Sequence, residues 1–321
     1  MTPALAPANN GNWQTANRWA RFLRSAYRVR LSAEWKPGSG GEASLMIALH
    51  ARRSAASMAA WHATHPQRPL ALVLTGTDLY RDIDTDPVAQ ASLELAHRLV
   101  VLNELGAARL PAALRSRCQV LLQSCSARQP LAKTGRHLRA LMVGHLRDEK
   151  DPRTYFDAAR RLAARADIRL DHIGDALDPA LGAEARALMA TCPTYRWLGG
   201  LGHAATRRRI QAAHVLVHPS RMEGGAHVVT EAIRSGTPVL ASRIDGNLGL
   251  LGSGYAGLFD AGDAAGLAAL LERGRDEPDM LAALQRQLAP RAALFAPEAE
   301  CRALHGLVRN LLDRRHTEST P

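Results

Sequence analysis

The sequence predicts an α/β protein made of two doubly wound, parallel-sheet domains, and three observations predict it. The chain has 321 residues, enough for two domains at roughly 150 residues each. Short apolar runs alternate with stretches of helical period, the pattern of repeated βαβ units. The alternation restarts once, after a polar segment rich in chain breakers.

Taken in order, the first half carries strand patterns at 44–50 ("SLMIALH"), 70–77, 98–104 and 119–124, with helical patterns at 14–25, 53–64, 87–96 and 105–115. "SARQPLAKTGRH" (126–137) reads as a linker. The second half carries strands at 139–146, 168–174, 195–200, 214–220, 237–242 and 256–260. Its helices fall at 152–165, 179–190, 203–213, 226–235 and 263–274. A last helix, 297–313, follows the completed second sheet and is expected to pack back on the first domain. The expected bounds are therefore 1–128, 129–296 and a closing segment 297–321. Open α/β sheets bind ligands at the carboxyl ends of their strands, so the loops there are expected to face a central cleft. The start is unusual: "MTP" leads straight to "ALAPANNGNW" where a doubly wound domain normally opens with a strand. Either that strand is reduced or a few of its residues are missing.

A net charge of +11 calls for an anionic partner. The basic residues are spread along helices, as at Arg160, Arg161, Arg165 and Arg169, without the aromatic interleaving of a nucleic-acid surface. A phosphate-bearing small molecule is the better expectation than nucleic acid. The four cysteines form no CxxC pair and no metal spacing, and read as small buried hydrophobes in a reducing compartment. No basic-then-apolar leader opens the chain, and no apolar run reaches the roughly 20 residues that span a bilayer. A cytoplasmic protein with no membrane span is expected.

"EGGAHVVTE" (223–231) sets Glu223 in a glycine loop and Glu231 on the helix that follows, with Gly236 as its stop. At 1.5 Å per residue the two carboxylates lie on the order of 10 Å apart along the chain. They cannot clamp one atom but suit two hydroxyl-rich ends of an extended ligand. Amides at the helix start, around Gly224, Gly225, Ala226 and His227, offer an anion site between them. A helix carrying two solvated acids is the plain alternative. "MVGHLRDEKDP" (142–152) ends a strand at Gly144 and supplies His145, Arg147 and Lys150 in the next loop, where cations can neutralise a diphosphate leaving group. Asn10, Gly11 and Asn12 lie in the loop before the first helix, where glycine permits close backbone approach to phosphate or sugar; a simple turn with Asn as helix cap is the alternative.

The aspartate spacing in "RDIDTDP" (81–87) resembles a metal-binding pair, but Asp86 before Pro87 is a good helix start. Asp82 and Asp84 are expected to face water, and no metal is expected, because basic side chains and helix dipoles can carry the diphosphate charge. His214 and His218 lie in a strand pattern and suit core or loop-end roles rather than a metal pair.

"PSRMEGGAHVVTEAIRSGTPVLAS" resembles the signature of the large retaining GT-B glycosyltransferase family, two glutamates with seven residues between them. "VGHLRDEKDP" resembles that family's phosphate-binding turn and "HIGDALD" its third-strand turn, together covering about 139–260. The resemblance implies GT-B architecture, two Rossmann-like domains facing a cleft. It places Glu223 at the donor sugar, Glu231 at the ribose hydroxyls and Lys150 at the diphosphate. Where the family usually has arginine after the glycine this chain has His145, and Arg147 is expected to supply that charge.

Over nearly the whole chain, "PANNGNWQTANRWARFL", "IALHARRS" and "LTGTDLYRDI", together with "SRMEGGAHVVTEAIRSGTPVLASRIDGNLGLLG", resemble a narrower group, the selenosugar synthases of selenoneine biosynthesis. That resemblance implies a carbon–selenium bond formed between selenophosphate and the sugar of UDP-N-acetylglucosamine or a related UDP-hexose. UDP and phosphate are released, no cofactor is needed, and a selenophosphate synthetase and a selenoneine synthase are the functional partners. Hexosyltransferases usually carry histidine in the segment that here reads "LTGTDLY", where Thr77 stands instead. Thr75, Thr77, Asp78 and Arg81 are then candidates beside the nucleophile, with His50, Arg52 and Arg53 receiving an anionic acceptor. His50, Thr77, Asp78, Arg81 and Lys150 form the expected catalytic set. A conventional hexosyltransferase with a hydroxyl acceptor is the alternative, and a nucleotide or nucleic-acid binding module without chemistry is the third reading.

Overall fold

The computed structural model describes the chain except residues 4, 6–10, 40–42, 278 and 318–321, and the side chains of 314–317. Two compact units emerge. The first holds residues 1–124, 223–225 and 297–321; the second holds 125–222 and 226–296.

In the first unit four parallel strands, β1 (Met46–Leu49), β2 (Leu70–Leu74), β3 (Arg98–Val101) and β4 (Cys118–Val120), lie in the order β1-β2-β3-β4. Side chains alternate across such a sheet, so each face needs its own cover. Met46, Ala48, Leu70, Leu72, Leu74, Leu99 and Val101 pack with Met58 and Trp61 of α2 (Ala55–Thr64) and with Ala89 and Leu93 of α4 (Pro87–Leu95). Leu49, Ala71, Val73, Val100 and Leu102 pack with α1 (Gly11–Leu23) and with α12 (Pro297–Thr317). The spacing Leu304, Leu307, Val308, Leu311 gives α12 its apolar stripe. Glu300, buried, tethers it: Arg18 Nε at 2.8 Å, Trp19 Nε1 at 2.6 Å and Ser124 N at 2.8 Å all donate to its carboxylate. Outside β1, the Met1 ammonium donates to Ile47 O at 2.8 Å and Leu49 N donates to Met1 O at 3.2 Å. A π turn, Asp78–Asp82, follows β2 and runs into the single helical turn α3 (Ile83–Thr85).

The second unit is a six-stranded parallel sheet in the order β10-β9-β8-β5-β6-β7. Its strands are β5 (Leu138–Val143), β6 (Ile168–Ile173), β7 (Tyr195–Trp197), β8 (Val215–His218), β9 (Val239–Ser242) and β10 (Leu258–Phe259). The chain builds outward from β5 to β7, then returns to pair β8 with β5 and builds the other way. That reversal makes a topological switch point between β5 and β8. Helices α5 (Pro152–Arg161), α6 (Pro179–Thr191), α7 (His203–Ala212), α8 (His227–Ile233), α9 (Asp245–Leu251), α10 (Ala264–Asp276) and α11 (Met280–Leu288) connect and cover it.

Every strand pattern of the sequence is a strand. The helix expected at 105–115 is instead two 3-10 turns, Gly106–Arg109 and Ala112–Arg117. Pro111 between them fixes its own φ and supplies no N–H to continue a helix. Helices α9 and α11 went unforeseen, the first hidden in the glycine-rich "DGNLGLLG". Residues 126–137 are irregular, yet hydrogen bonds hold their first part to α7 and the end of α8. Arg128 N donates to Arg234 O at 3.0 Å and Leu131 N to Gln211 O at 3.3 Å. Among the described residues no helix is long and apolar enough to cross a membrane.

Candidate active site

Sequence places the most telling loops of the second unit at its switch point, where open α/β sheets bind ligands. The loops after β5 and β6 touch so closely that only glycine fits. A Cβ on Gly174 (φ 155°) would lie 2.0 Å from Gly144 O. Beside them His172 is buried, and burial lowers its pKa to about 4. It is therefore neutral near pH 7. Its Nε2 lies 3.0 Å from Gly144 O and its Nδ1 3.1 Å from the Tyr195 hydroxyl. Trp197 Nε1 donates to Gly174 O at 2.8 Å. The floor of the site is thus rigid and backbone-lined.

The cations stand on this floor. A Cβ on Gly144 would lie 3.5 Å from Cγ and Cδ of Lys150, so the lysine stem runs over the glycine. His145 does not replace the missing arginine as a charge. Its Nδ1 accepts Asp175 N–H at 3.0 Å, and its pKa is lowered, by burial first. Arg147 is half-exposed, 3.9 Å from Glu149. Arg221, which sequence reasoning passed over although it stands in "PSRMEGG", joins the group. Its N–H donates to Glu149 O at 3.0 Å and its Nη2 to Asp151 Oδ1 at 3.2 Å. Asp151 is buried with a left-handed φ of 46° and also accepts from Thr154 Oγ1 at 2.7 Å. One carboxylate in a strained conformation, a recurrent feature of functional sites, thereby ties the loop after β8 to the loop after β5.

Glu231 is buried, so the plain alternative of a solvated acid does not hold for it. His203 Nε2 at 2.6 Å, His227 Nδ1 at 3.4 Å and Arg207 Nη1 at 3.6 Å all face its Oε1. Burial alone would raise its pKa, but the hydrogen bonds from both histidines and the Arg207 charge outweigh it and hold the carboxyl at about 2. Arg207, also buried, donates from Nη2 to Ser126 O at 2.9 Å. Helix α8 begins at His227 with Ala226 as N-cap and no side-chain cap, and spans seven residues rather than the ten expected. The anion field at its start is correspondingly weak.

A second cluster belongs to the first unit. Asp78 is fully buried and accepts from Ala51 N at 2.9 Å, Thr75 N at 2.8 Å and Gly76 N at 2.9 Å. Its oxygens therefore organise the turns after β1 and β2. His50, in a left-handed conformation (φ 74°) and buried, sets Nε2 at 3.1 Å from Thr77 Oγ1. Arg53 N donates to its Nδ1 at 3.4 Å, so Nε2 carries the proton and faces Thr77. Burial, first, lowers the His50 pKa, against the opposing Asp78 charge.

Asp82 does not face water. It is buried and takes two arginines, Arg52 Nε at 3.2 Å and Arg81 Nε at 3.1 Å. Arg52 and Arg81 are thereby paired though exposed, and Arg53 is exposed as well. Asp84 pairs with Arg109 at 2.9 Å, and Asp86 caps α4 from Val88 N and Ala89 N. Among the described residues no group of three or more His, Cys, Asp or Glu could hold a metal. Gly11 and Asn12 lie in the first turn of α1 rather than in a loop before it, because the helix begins at Gly11. Asn10 lies outside the described residues.

Glu223, Gly224 and Gly225 belong to this unit. Glu223 is buried. A Cβ on Gly224 would lie 2.3 Å from Thr75 O, and one on Gly225 2.8 Å from Leu102 Cβ. Asn103 Nδ2 donates to Gly224 O at 2.7 Å. Asn103, His203 and Arg207 carry no motif of their own, so only the fold reveals them.

Residues 126–289, more than half of the chain, match the family described as glycosyl transferases group 1. A GDP-mannose-dependent alpha-mannosyltransferase of Corynebacterium glutamicum is 30% identical over 117 residues, 36% of this chain and 26% of that protein. The match thus spans about a quarter of that relative's length. Among solved structures, sucrose-phosphate synthase from Thermosynechococcus elongatus aligns with a TM-score of 0.70 and 21% identity, over 84% of this chain and 74% of that one. Anabaena HepE in complex with UDP-glucose aligns with a TM-score of 0.68 and 16% identity, over 83% and 79%. These likenesses, with the two parallel sheets, show the GT-B fold. By the match over most of its second unit, more than half of its length, the chain belongs to the glycosyl transferases group 1 family.

Proposed function

We propose that the protein is a glycosyltransferase with a UDP-sugar donor, and that its acceptor is selenophosphate. The observation that carries the donor half is the joining of the loops after β5 and β8 at the switch point. Lys150 over Gly144 and Arg221 held by Asp151 bring positive charge to a backbone-lined floor, suited to a diphosphate leaving group. Arg147 adds to that charge from the same loop. Glu231, held ionised, accepts from the ribose hydroxyls, and Glu223 contacts the donor sugar, with Gly224, Gly225, Ala226 and His227 shaping the chain between them.

For the acceptor half, the resemblance of the first half of the chain to selenosugar synthases is the support. Thr77 with the neutral His50 beside it, Thr75, and the exposed Arg53 are the groups that meet the nucleophile. Asp78 organises their turns, and Arg52 and Arg81 act through Asp82. Selenium attacks C1 of the sugar as the C1–oxygen bond breaks and UDP departs with the electron pair. Water then cleaves the selenium–phosphorus bond, leaving phosphate and the selenosugar. A selenophosphate synthetase would supply this substrate, and a selenoneine synthase would consume the product.

The pairing of Arg52 and Arg81 with Asp82 favours the second reading, a neutral hydroxyl acceptor. Purified protein is incubated with selenophosphate and UDP-N-acetylglucosamine, UDP-glucose or GDP-mannose. UDP release together with a selenosugar by mass spectrometry is the expected result. An O-glycoside with selenophosphate inert would establish the second reading instead. Nucleoside diphosphate release no faster than without selenophosphate, across all donors, would sink the first.

A further inference from the structure

We propose that Asn103 is a positioning residue for Glu223; this rests on the reading of Glu223 as the donor-sugar contact. Gly224 and Gly225 have no side chains with which to anchor themselves, and their neighbours leave no room for any. Gly224 lies against the Thr75–Gly76 peptide and Gly225 against Leu102. Packing of this kind sets how close the loop approaches but leaves free the direction in which its peptides point. Asn103 supplies the direction.

Its side chain is fully buried and held by directional hydrogen bonds. Nδ2 donates to Gly224 O at 2.7 Å and to Tyr80 Oη at 2.9 Å, and Oδ1 accepts from Leu105 N at 3.0 Å. The Leu105 bond fixes the amide on its own loop after β3, and so fixes which way Nδ2 points. Tyr80 reaches it because the π turn after β2 places that ring beside β3, under the Arg109 guanidinium 5.9 Å from the ring centre. π turns recur at functional sites. The amide therefore reads two loops at once and holds the Gly224–Gly225 peptide, one residue on from Glu223, in a single orientation. A shift of about 1 Å in a positioning group costs on the order of a hundredfold in rate, so a grip one residue from a sugar-contacting carboxylate has a kinetic signature.

The test is a set of kinetic constants for N103A, N103S, Y80F, E223Q and N103A/E223Q, with UDP affinity measured by calorimetry as the check that each variant is folded. N103A and N103S should lower kcat about ten- to a hundredfold and leave UDP affinity within about twofold of wild type. Y80F keeps the Gly224 bond and should retain most of the activity. In the E223Q background, N103A should cost less than about a further twofold, because its effect passes through Glu223. Losses of equal size in both backgrounds, or UDP affinity falling in step with kcat in both Asn103 variants, would overturn the inference. If E223Q alone leaves kcat unchanged, the sugar-contact reading of Glu223 falls instead.

Discussion

Replacing Glu231 by glutamine separates what this carboxylate does for the fold from what it does for the ligand. The carboxyl moves from 4.5 in the unfolded chain to about 2 in the structure. At about 1.36 kcal/mol per pKa unit, this favours the folded carboxylate by roughly 3 kcal/mol. Because the folded value is depressed, this stability is fully present above pH 4.5 and fades as pH falls from 4.5 towards 2. A neutral amide cannot supply it and leaves Arg207 buried without its carboxylate, so E231Q should lose on the order of 3 kcal/mol at pH 7. Hydrogen bonds from ligand hydroxyls to a charged acceptor contribute about 1.5–3 kcal/mol, so UDP should bind about 10- to 100-fold more weakly. Urea unfolding at pH 7 and pH 3.5 and calorimetry with UDP read the two effects. Adding R207M to E231Q should recover much of the stability, since it removes the stranded charge, but none of the affinity. UDP affinity equal to wild type in E231Q would refute the ribose role. Equal stability loss at both pH values would refute the electrostatic argument.

Two further outcomes follow from the packing. G174A puts a methyl 2.0 Å from Gly144 O at a φ of 155° and should cost more than about 3 kcal/mol, whereas G135A, with open space around it, should change the urea midpoint little; equal effects would contradict the close contact of the two loops. E300Q strips the buried partner of Arg18 and should destabilise the first unit by about 3–5 kcal/mol; a loss below about 1 kcal/mol in urea unfolding would show that α12 is held by its apolar stripe alone.

The strands were legible because a buried parallel strand is a short apolar run wherever it occurs, and neighbouring Ala71, Leu72 and Val73 need no partner to be recognised. The 3-10 turns at 106–117 misled because apolar spacing reports which face is covered, not whether Pro111 lets the hydrogen-bond ladder continue. Asp82 misled for a related reason. An acid between exposed positions reads as solvated, and only the π turn, by rotating it inward between Arg52 and Arg81, makes it a buried partner.

By itself the sequence determined the alternation of strands and helices, the restart that divides the chain, and the spacing of Glu223 and Glu231, all of which are local properties of the chain. Which charges meet was decided only by the tertiary structure. His203 and Arg207 reach Glu231 because α7 packs beside α8. Arg221 joins the Lys150 loop because β8 returns to lie against β5. Asn103 grips Gly224 across 121 residues of sequence. Contacts of that kind arise from sheet order and burial, which no stretch of residues carries within itself.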